Sequence, residues 1–236
     1  MEPARIAELL QPFLVAPSPL KAGQPDALPA ALSPDQLKYI SMYINVLLRW
    51  NARINLTAIR QPEEIVTRHF GESLFAARLL FPTQQSRRER PQCRRERPRS
   101  CTVIDVGSGA GFPGLPIKIW APQVDLTLIE SNQKKATFLR EVIRGLTLIN
   151  INVFPGRAED YPNPPADLVT LRAVERFDTA LPLAASLVAP YGRLVILISE
   201  PQLARAKNLT PSLIWDLPLP VPLSSSRILA IATREP

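Results

Sequence analysis

The chain has 236 residues, 46% of them hydrophobic, and a formal net charge of +7. That length suits one full α/β domain with a small accessory unit, and the apolar share is enough to fill its core. No apolar run is long enough to span a bilayer, and the opening "MEPARIAELLQPFLVAP" lacks a basic region followed by an apolar one, so neither a membrane span nor a secretory leader is expected.

Seven of the 26 prolines fall within the first 34 residues. Residues 1 to 32 therefore read as a short amphipathic helix, about 4 to 14, followed by an extended linker. Ser33, Pro34 and Gln36 predict a helix start, with Ser33 capping, Pro34 in the first turn and Gln36 closing a capping box. Leu37, Ile40, Ile44, Leu47 and Leu48 then recur at helical spacing. A second helix is predicted from about 62 to 80, on Ile65, Val66, Phe70, Leu74 and Leu79, so residues 33 to 83 form a helical unit.

Residues 84 to 100 are of low complexity, with "RRERP" occurring twice. Seven arginines and two glutamates over residues 87 to 99 supply +5 of the charge, which leaves the rest of the chain near +2. A solvated insert is the expected reading, ahead of an RNA-binding arm. The two cysteines, Cys93 and Cys101, match no zinc or redox spacing; no metal site or disulfide is expected, and the compartment expected is the reducing cytoplasm.

From residue 101 the chain alternates between strand and helix. "CTVIDV", "VDLTLIE", "INVF", "DLVTLR" and "GRLVILI" read as buried strands. Helices are expected at about 113 to 120, 132 to 145 and 176 to 188, the last kinked at Pro182. The segments "SLIWDL" and "SRILAIAT" finish the sheet as an antiparallel pair. The fold class that follows is α/β: a doubly wound, Rossmann-like sheet over 101 to 236, mostly parallel with a late antiparallel strand.

"VIDVGSGAGFPGLPIKI" carries two overlapping glycine patterns. Gly107, Gly109 and Gly111 spell G-x-G-x-G behind Asp105, as in an S-adenosylmethionine loop; Gly109, Gly111 and Gly114 spell the G-x-G-x-x-G of a dinucleotide loop. Taking Gly107 as the first turn residue leaves "TVIDV" as a clean strand and starts the helix near Phe112 and Pro113. The methyl-donor reading is therefore preferred to a nicotinamide-dependent oxidoreductase. Ser108 lies within the loop, and Glu130 closes the second strand where a carboxylate can accept both ribose hydroxyls. Asp105 either caps loop N–H groups or holds the cationic end of the donor. Ala158 and Glu159 in "GRAED" are placed to recognise an adenine edge through backbone N–H groups.

The acceptor is less directly written. "NPP" at 163 to 165 precedes the fourth strand and lacks a following aromatic, so it reads as a linker rather than an amine-methylation loop. Neither cysteine can supply the thiolate that pyrimidine C5 methylation needs. Arg172, at the end of the fourth strand, could bind a phosphate or base by a forked contact. A lone-pair acceptor such as guanine N7 needs only alignment and exclusion of water.

"VLLRWNARINLTAI", "EEIVTRHFGESL", the glycine stretch, "LTLIESNQKKATFLREV", "GRAED" and "LRA" occur in an order that resembles the glucose-inhibited division protein B family, over roughly residues 37 to 200. That family is the bacterial ribosomal RNA small-subunit (guanine-N7) methyltransferase. The resemblance implies S-adenosyl-L-methionine as cofactor, bound at Gly107, Phe112, Ala158 and Glu159. It places Arg172 beside donor and target base, and Arg68 and His69 facing the active site as catalytic residues. It implies small-subunit ribosomal RNA or a ribosomal particle as partner, no membrane, and a monomer; a non-catalytic RNA-binding protein with the same fold is the alternative. Leu171 stands where the family usually has serine, "LISEP" replaces a lysine-glycine ending, and the insert at 84 to 100 is atypical.

Overall fold

The computed structural model describes residues 1–15, 31–82, 100–173 and 176–236. The proline-rich linker and the arginine-rich insert lie, apart from their edges, outside the described residues.

Helix α1 (Pro3–Leu14) buries Ile6, Leu10, Phe13 and Leu14 along one stripe. Helix α2 (Pro34–Asn51) starts on the expected capping box: Gln36 N donates to Ser33 Oγ, and Ser33 N donates to Gln36 Oε1 at 2.8 Å. The Gln36 side chain also donates to the Ile119 carbonyl at 2.8 Å, which ties the start of α2 to the sheet domain. The helix expected over 62 to 80 is helical throughout but not uniform. A short α3 (Pro62–Glu64) and α4 (Glu72–Leu80) flank a π-helical stretch, Ile65–Gly71. The wider π turn re-aims the side chains that follow it, and such turns are frequent at functional sites. Gly71 closes that stretch under α1, since a Cβ there would lie 2.5 Å from the Phe13 ring.

The sheet comprises β1 (Thr102–Val106), β2 (Asp125–Ile129), β3 (Ile151–Phe154), β4 (Ala166–Arg172), β5 (Val188–Ser199), β6 (Leu213–Trp215), β7 (Leu219–Pro220) and β8 (Arg227–Arg234). Its order is β3-β2-β1-β4-β5-β8-β6, with β7 also paired to β8. Strands β1 to β5 pair in parallel, and β8 runs antiparallel to β5, β6 and β7. Between them pass α5 (Gly114–Trp120), α6 (Gln133–Gly145), α7 (Phe177–Ser186) and α8 (Gln202–Leu209). The predicted doubly wound sheet is thus present, with its late antiparallel pair. Three details differ from the sequence reading, the first being α8, which it did not anticipate. β5 begins four residues early because Tyr191, at φ +62°, and Gly192 form an irregular turn within it, and an apolar run does not reveal such a bulge. The two-residue β7 carries too little pattern to be seen.

Two apolar cores cover the two faces of the sheet. One joins α1, α2 and α4 to α5, α6 and the face carrying Val103, Leu126 and Leu128. The other packs α7 and α8 against Ile104, Val169 and Ile196. The helical unit at 33–83 therefore shares its core with the sheet. The strand order turns back between β1 and β4, and the crevice at their carboxyl ends is where a doubly wound sheet places its ligand.

Candidate functional site

Gly107 follows immediately on β1, as the S-adenosylmethionine reading required. Gly107, Gly109 and Gly111 have φ of +67°, +54° and +88°, the left-handed region that side chains disfavour. Ser108 stitches this loop down: its N–H donates to Ile129 O at 3.0 Å and its hydroxyl to Asp105 O at 2.9 Å. Gly111 is also sterically enforced, because a Cβ there would stand 2.3 Å from the Tyr43 hydroxyl. That hydroxyl, reaching up from α2, donates to Ala110 O and clamps the far side of the loop.

Gly114 has a separate task. A Cβ on it would meet Leu128 Cδ2 at 2.6 Å and Asp105 Oδ2 at 2.8 Å, so the glycine lets α5 settle directly on β1 and β2. The last glycine of the overlapping dinucleotide pattern is thus a packing residue, and α5 opens at Gly114 with Pro113 just outside it. Asp105 is fully buried; its carboxylate accepts from the Thr170 hydroxyl at 2.7 Å and from Gly114 N–H at 3.3 Å. Burial raises its pKa to about 6, against the opposing effect of these hydrogen bonds. This geometry fits the capping alternative for Asp105 better than a direct hold on a ligand.

Glu130 sits at the end of β2 and accepts Gly109 N–H at 2.8 Å on Oε2 and Asn132 N–H at 2.7 Å on Oε1. Each oxygen keeps lone-pair capacity for a further donor. One strand outward, Ala158 and Glu159 open a 3₁₀ turn, Ala158–Asp160, beyond the carboxyl end of β3. Asn163 to Pro165, by contrast, lie at the amino edge of β4, where they line a cleft of about 440 Å³ at the opposite end of the sheet.

On the other side of the loop Arg172, His69 and Arg68 come together, although Arg172 is 103 residues from His69. Arg172 closes β4 with its side chain only 8% exposed. Its Nη1 donates to His69 Nδ1 at 2.9 Å, and its Nη2 donates to Arg68 O at 2.6 Å and Glu72 Oε2 at 2.9 Å. The guanidinium fork expected to grip a phosphate or base is therefore engaged by the protein. Nε is buried with no hydrogen-bond acceptor among the described residues.

Glu72 is the centre of this cluster. Its side chain is 1% exposed; Oε1 accepts from Arg68 Nε at 3.2 Å, and Oε2 lies 3.0 Å from Arg227 Nε as well as bonding Arg172. Three guanidiniums from the π-helical stretch, β4 and β8 thus share one carboxylate. Glu72 and Arg227 escaped the sequence reading. The available signal was a carboxylate set among apolar residues in "FGESLFAA", four positions after Arg68.

His69 stacks on Phe112, with centroids 4.7 Å apart, and Phe112 stacks in turn on Tyr43 at 5.4 Å. Burial first, then the charges of Arg172, Arg68 and Arg227, lowers the His69 pKa to about 3. With Nδ1 bonded to Arg172 and Nε2 to the Thr57 hydroxyl at 2.7 Å, neither ring nitrogen is left for proton transfer. His69 is thus a packed, hydrogen-bonded imidazole beside Arg172. Phe112 is buried in the same stack, behind the loop.

Comparison with known proteins adds a family to this geometry. The model of the GidB family, described as rRNA small subunit methyltransferase G, matches residues 36–216. A relative of that name from Desulfitobacterium hafniense (strain Y51) is 37% identical over 166 residues, covering 68% of this chain and 62% of its own. Another, from Xanthomonas euvesicatoria pv. vesicatoria, is 37% identical over 173 residues, covering 73% of this chain and 71% of its own. The chain thus spans about three fifths of the length of the first of these. Among solved structures, a ribosomal protein L11 methylase from Lactobacillus delbrueckii subsp. bulgaricus shares the fold. It aligns with a TM-score of 0.50 at 17% identity, over 59% of this chain and 73% of its own.

Proposed function

The chain belongs to the rRNA small subunit methyltransferase G family, and from that membership we propose that it transfers a methyl group from S-adenosylmethionine to N7 of a guanine in small-subunit ribosomal RNA. The observation that carries the reading is the glycine-rich loop Gly107–Gly111, with three glycines at positive φ, bonded through Gly109 N–H to Glu130 at the end of the next strand. A nucleoside needs this combination: close approach to backbone, and a carboxylate with lone pairs to spare for ribose hydroxyls.

The residues fit the donor. Gly107, Ser108 and Gly109 would lie along its amino-acid portion and Glu130 along its ribose, while Ala158 and Glu159 would meet its base. Bound S-adenosylmethionine would supply an electrophilic methyl on a sulfonium. The chain's own part is to hold, align and dry the reactants. Guanine N7 carries its lone pair at neutral pH, so no general base is needed, in keeping with a site whose single histidine is fully engaged. Arg172 cannot cover both O6 and N7 with its fork, which would mask the nucleophile, because its terminal nitrogens are bonded to His69, Arg68 and Glu72. It acts instead as a fixed charge at the end of β4, beside the loop.

The partner is ribosomal RNA or a ribosomal particle, met by a monomer in the cytoplasm. No helix among the described residues is long and apolar enough to cross a membrane. Arg68, Arg172 and Arg227 around one carboxylate leave an excess of two positive charges at the rim, which favours a phosphate-rich partner. The deciding experiment is a map of N7-methylguanine in small-subunit ribosomal RNA with and without the gene. Loss of one modified guanine is expected; an unchanged map would overturn the proposal.

A further inference from the structure

The contacts of His69 determine where its proton lies. A guanidinium has donors only, so Arg172 Nη1, 2.9 Å from His69 Nδ1, requires that Nδ1 accept. A neutral imidazole with a bare Nδ1 carries its hydrogen on Nε2. That hydrogen points at Thr57 Oγ1, 2.7 Å away, which therefore accepts. The opposite tautomer would aim N–H at N–H across the Arg172 contact.

Thr57 is itself held rigidly. Asn51, the last residue of α2, accepts the N–H groups of Leu56 and Thr57 on Oδ1 at 2.9 and 3.1 Å. Its Nδ2 donates back to Thr57 O at 3.0 Å. The Thr57 hydroxyl oxygen also accepts Ile59 N–H at 3.1 Å. The imidazole plane is fixed independently by the 19° stack on Phe112. One step beyond His69, Arg172 is held from its other side by Glu72 and the Arg68 carbonyl.

We propose that Thr57 is a positioning residue for Arg172: by accepting the Nε2 proton that the Arg172 contact dictates, it holds the imidazole ring in place so that Nδ1 receives, and so orients, the Arg172 guanidinium. Asn51 serves the same end by setting the Thr57 loop. The chain of contacts runs from α2 through Thr57 and the π-helical stretch to the tip of β4, so the helical unit takes part in arranging the site. The charged groups facing His69 are Arg172, Arg68 and Arg227, with Glu72 ion-paired to all three. Protonating the ring would set a second donor against Arg172 in a region that already has excess positive charge. The effect of Thr57 on turnover rests on the methyl-transfer reading; its effect on the imidazole does not.

The sequence contains one histidine, so a protein labelled with ¹⁵N-histidine gives a single imidazole spin system. In the unmodified protein we expect a bare Nδ1 and a protonated Nε2, unchanged between about pH 5 and 8. A protonated Nδ1, or titration near the ordinary histidine value, overturns the proposal without any substitution being made. Thr57→Val leaves the Nε2 proton without its acceptor, so it should shift the imidazole resonances and lower kcat about tenfold or more, with KM for S-adenosylmethionine within about twofold. Thr57→Ser, which keeps the acceptor, should restore both. Parent-like imidazole shifts and kcat in Thr57→Val, or failure of serine to rescue, would also overturn it. Calorimetry with S-adenosylhomocysteine on the unmodified protein tests the donor site separately: no binding there sinks the methyl-transfer reading and leaves the tautomer result standing.

Discussion

Arg172 donates to His69 Nδ1 at 2.9 Å while its other terminal nitrogen donates to the buried Glu72 carboxylate, also at 2.9 Å. One guanidinium thus joins the tip of β4 to the π-helical stretch and to the first turn of α4. A residue with that many internal bonds cannot be removed without structural cost. Arg172→Ala should abolish methyl transfer and also destabilise the fold by about 3 kcal/mol, because it strips a buried carboxylate of one of its partners. Arg172→Lys should recover part of the stability and little activity, since an ammonium cannot span His69, Arg68 O and Glu72 at once. Urea denaturation beside a methyl-transfer assay checks both; full turnover in either variant would show the arginine to be incidental.

Glu72 is the complementary case. Replacing it by Gln keeps the volume but leaves the guanidiniums of Arg68, Arg172 and Arg227 gathered with no neutralising charge. The expected loss is about 3 kcal/mol. A double variant, Glu72→Gln with Arg227→Met, should regain part of it by removing one of the repelling charges. Additive losses in the denaturation cycle would show that Arg227 does not couple to Glu72 despite their 3.0 Å separation.

These contacts also mark where sequence stops being informative. The loop was readable because glycine at positive φ leaves a local signature and because "TVIDV" ends cleanly before Gly107. Ser33 and Gln36 were readable for the same reason: a cap is made by residues three apart. Glu72 meets Arg172 across 100 positions and Arg227 across still more, and nothing local encodes that meeting. The π-helical stretch was hidden because its side chains alternate between core and surface much as those of an α-helix do, while its register shift shows only in the backbone. His69 shows how far family resemblance reaches. It brought the histidine to the site, but the partners of its two nitrogens, Thr57 and Arg172, are visible only in the structure.

The glycines of the loop should differ in what they tolerate. Gly109 has open space around its would-be Cβ, the nearest atom being Gly107 O at 3.8 Å. Gly109→Ala should therefore cost about 1 kcal/mol, from positive φ alone, and fold normally. Gly111→Ala adds a collision with the Tyr43 hydroxyl and Leu115 to the same backbone strain, so about 3 kcal/mol is expected. Gly107→Val should leave a folded protein that fails to bind S-adenosylmethionine, since φ of +67° disfavours a β-branched residue and the side chain would intrude on the approach to the loop. Melting temperatures and donor calorimetry on the three variants separate these effects. Equal stability of the two alanine variants would remove the role given to Tyr43.

The last prediction concerns pH, where two buried groups pull in opposite directions. The Asp105 pKa is raised to about 6 from an ordinary 3.8, so in the window between those values the folded state binds more protons than the unfolded chain. Its contribution to stability therefore falls as pH rises through that window, by roughly 3 kcal/mol in all. The His69 pKa is lowered from 6.5 to about 3, so there the unfolded chain binds more protons. Its contribution is present above pH 6.5 and is lost as pH falls toward 3. Over pH 4 to 6 the two slopes nearly cancel, and the parent should show little dependence from this pair. Asp105→Asn removes one of them. The Thr170 hydroxyl can turn toward Ile104 O, 3.5 Å away, and accept from the new amide, while the amide oxygen keeps Gly114 N–H. The variant should accordingly exceed the parent in stability at pH 7.5 and lose that advantage as pH is lowered to 4.5, where the parent's carboxyl is protonated. Urea denaturation of both proteins at pH 4.5, 6 and 7.5 gives the difference directly. A variant less stable than the parent at pH 7.5 would mean that the ionised carboxylate is a net support for the glycine loop.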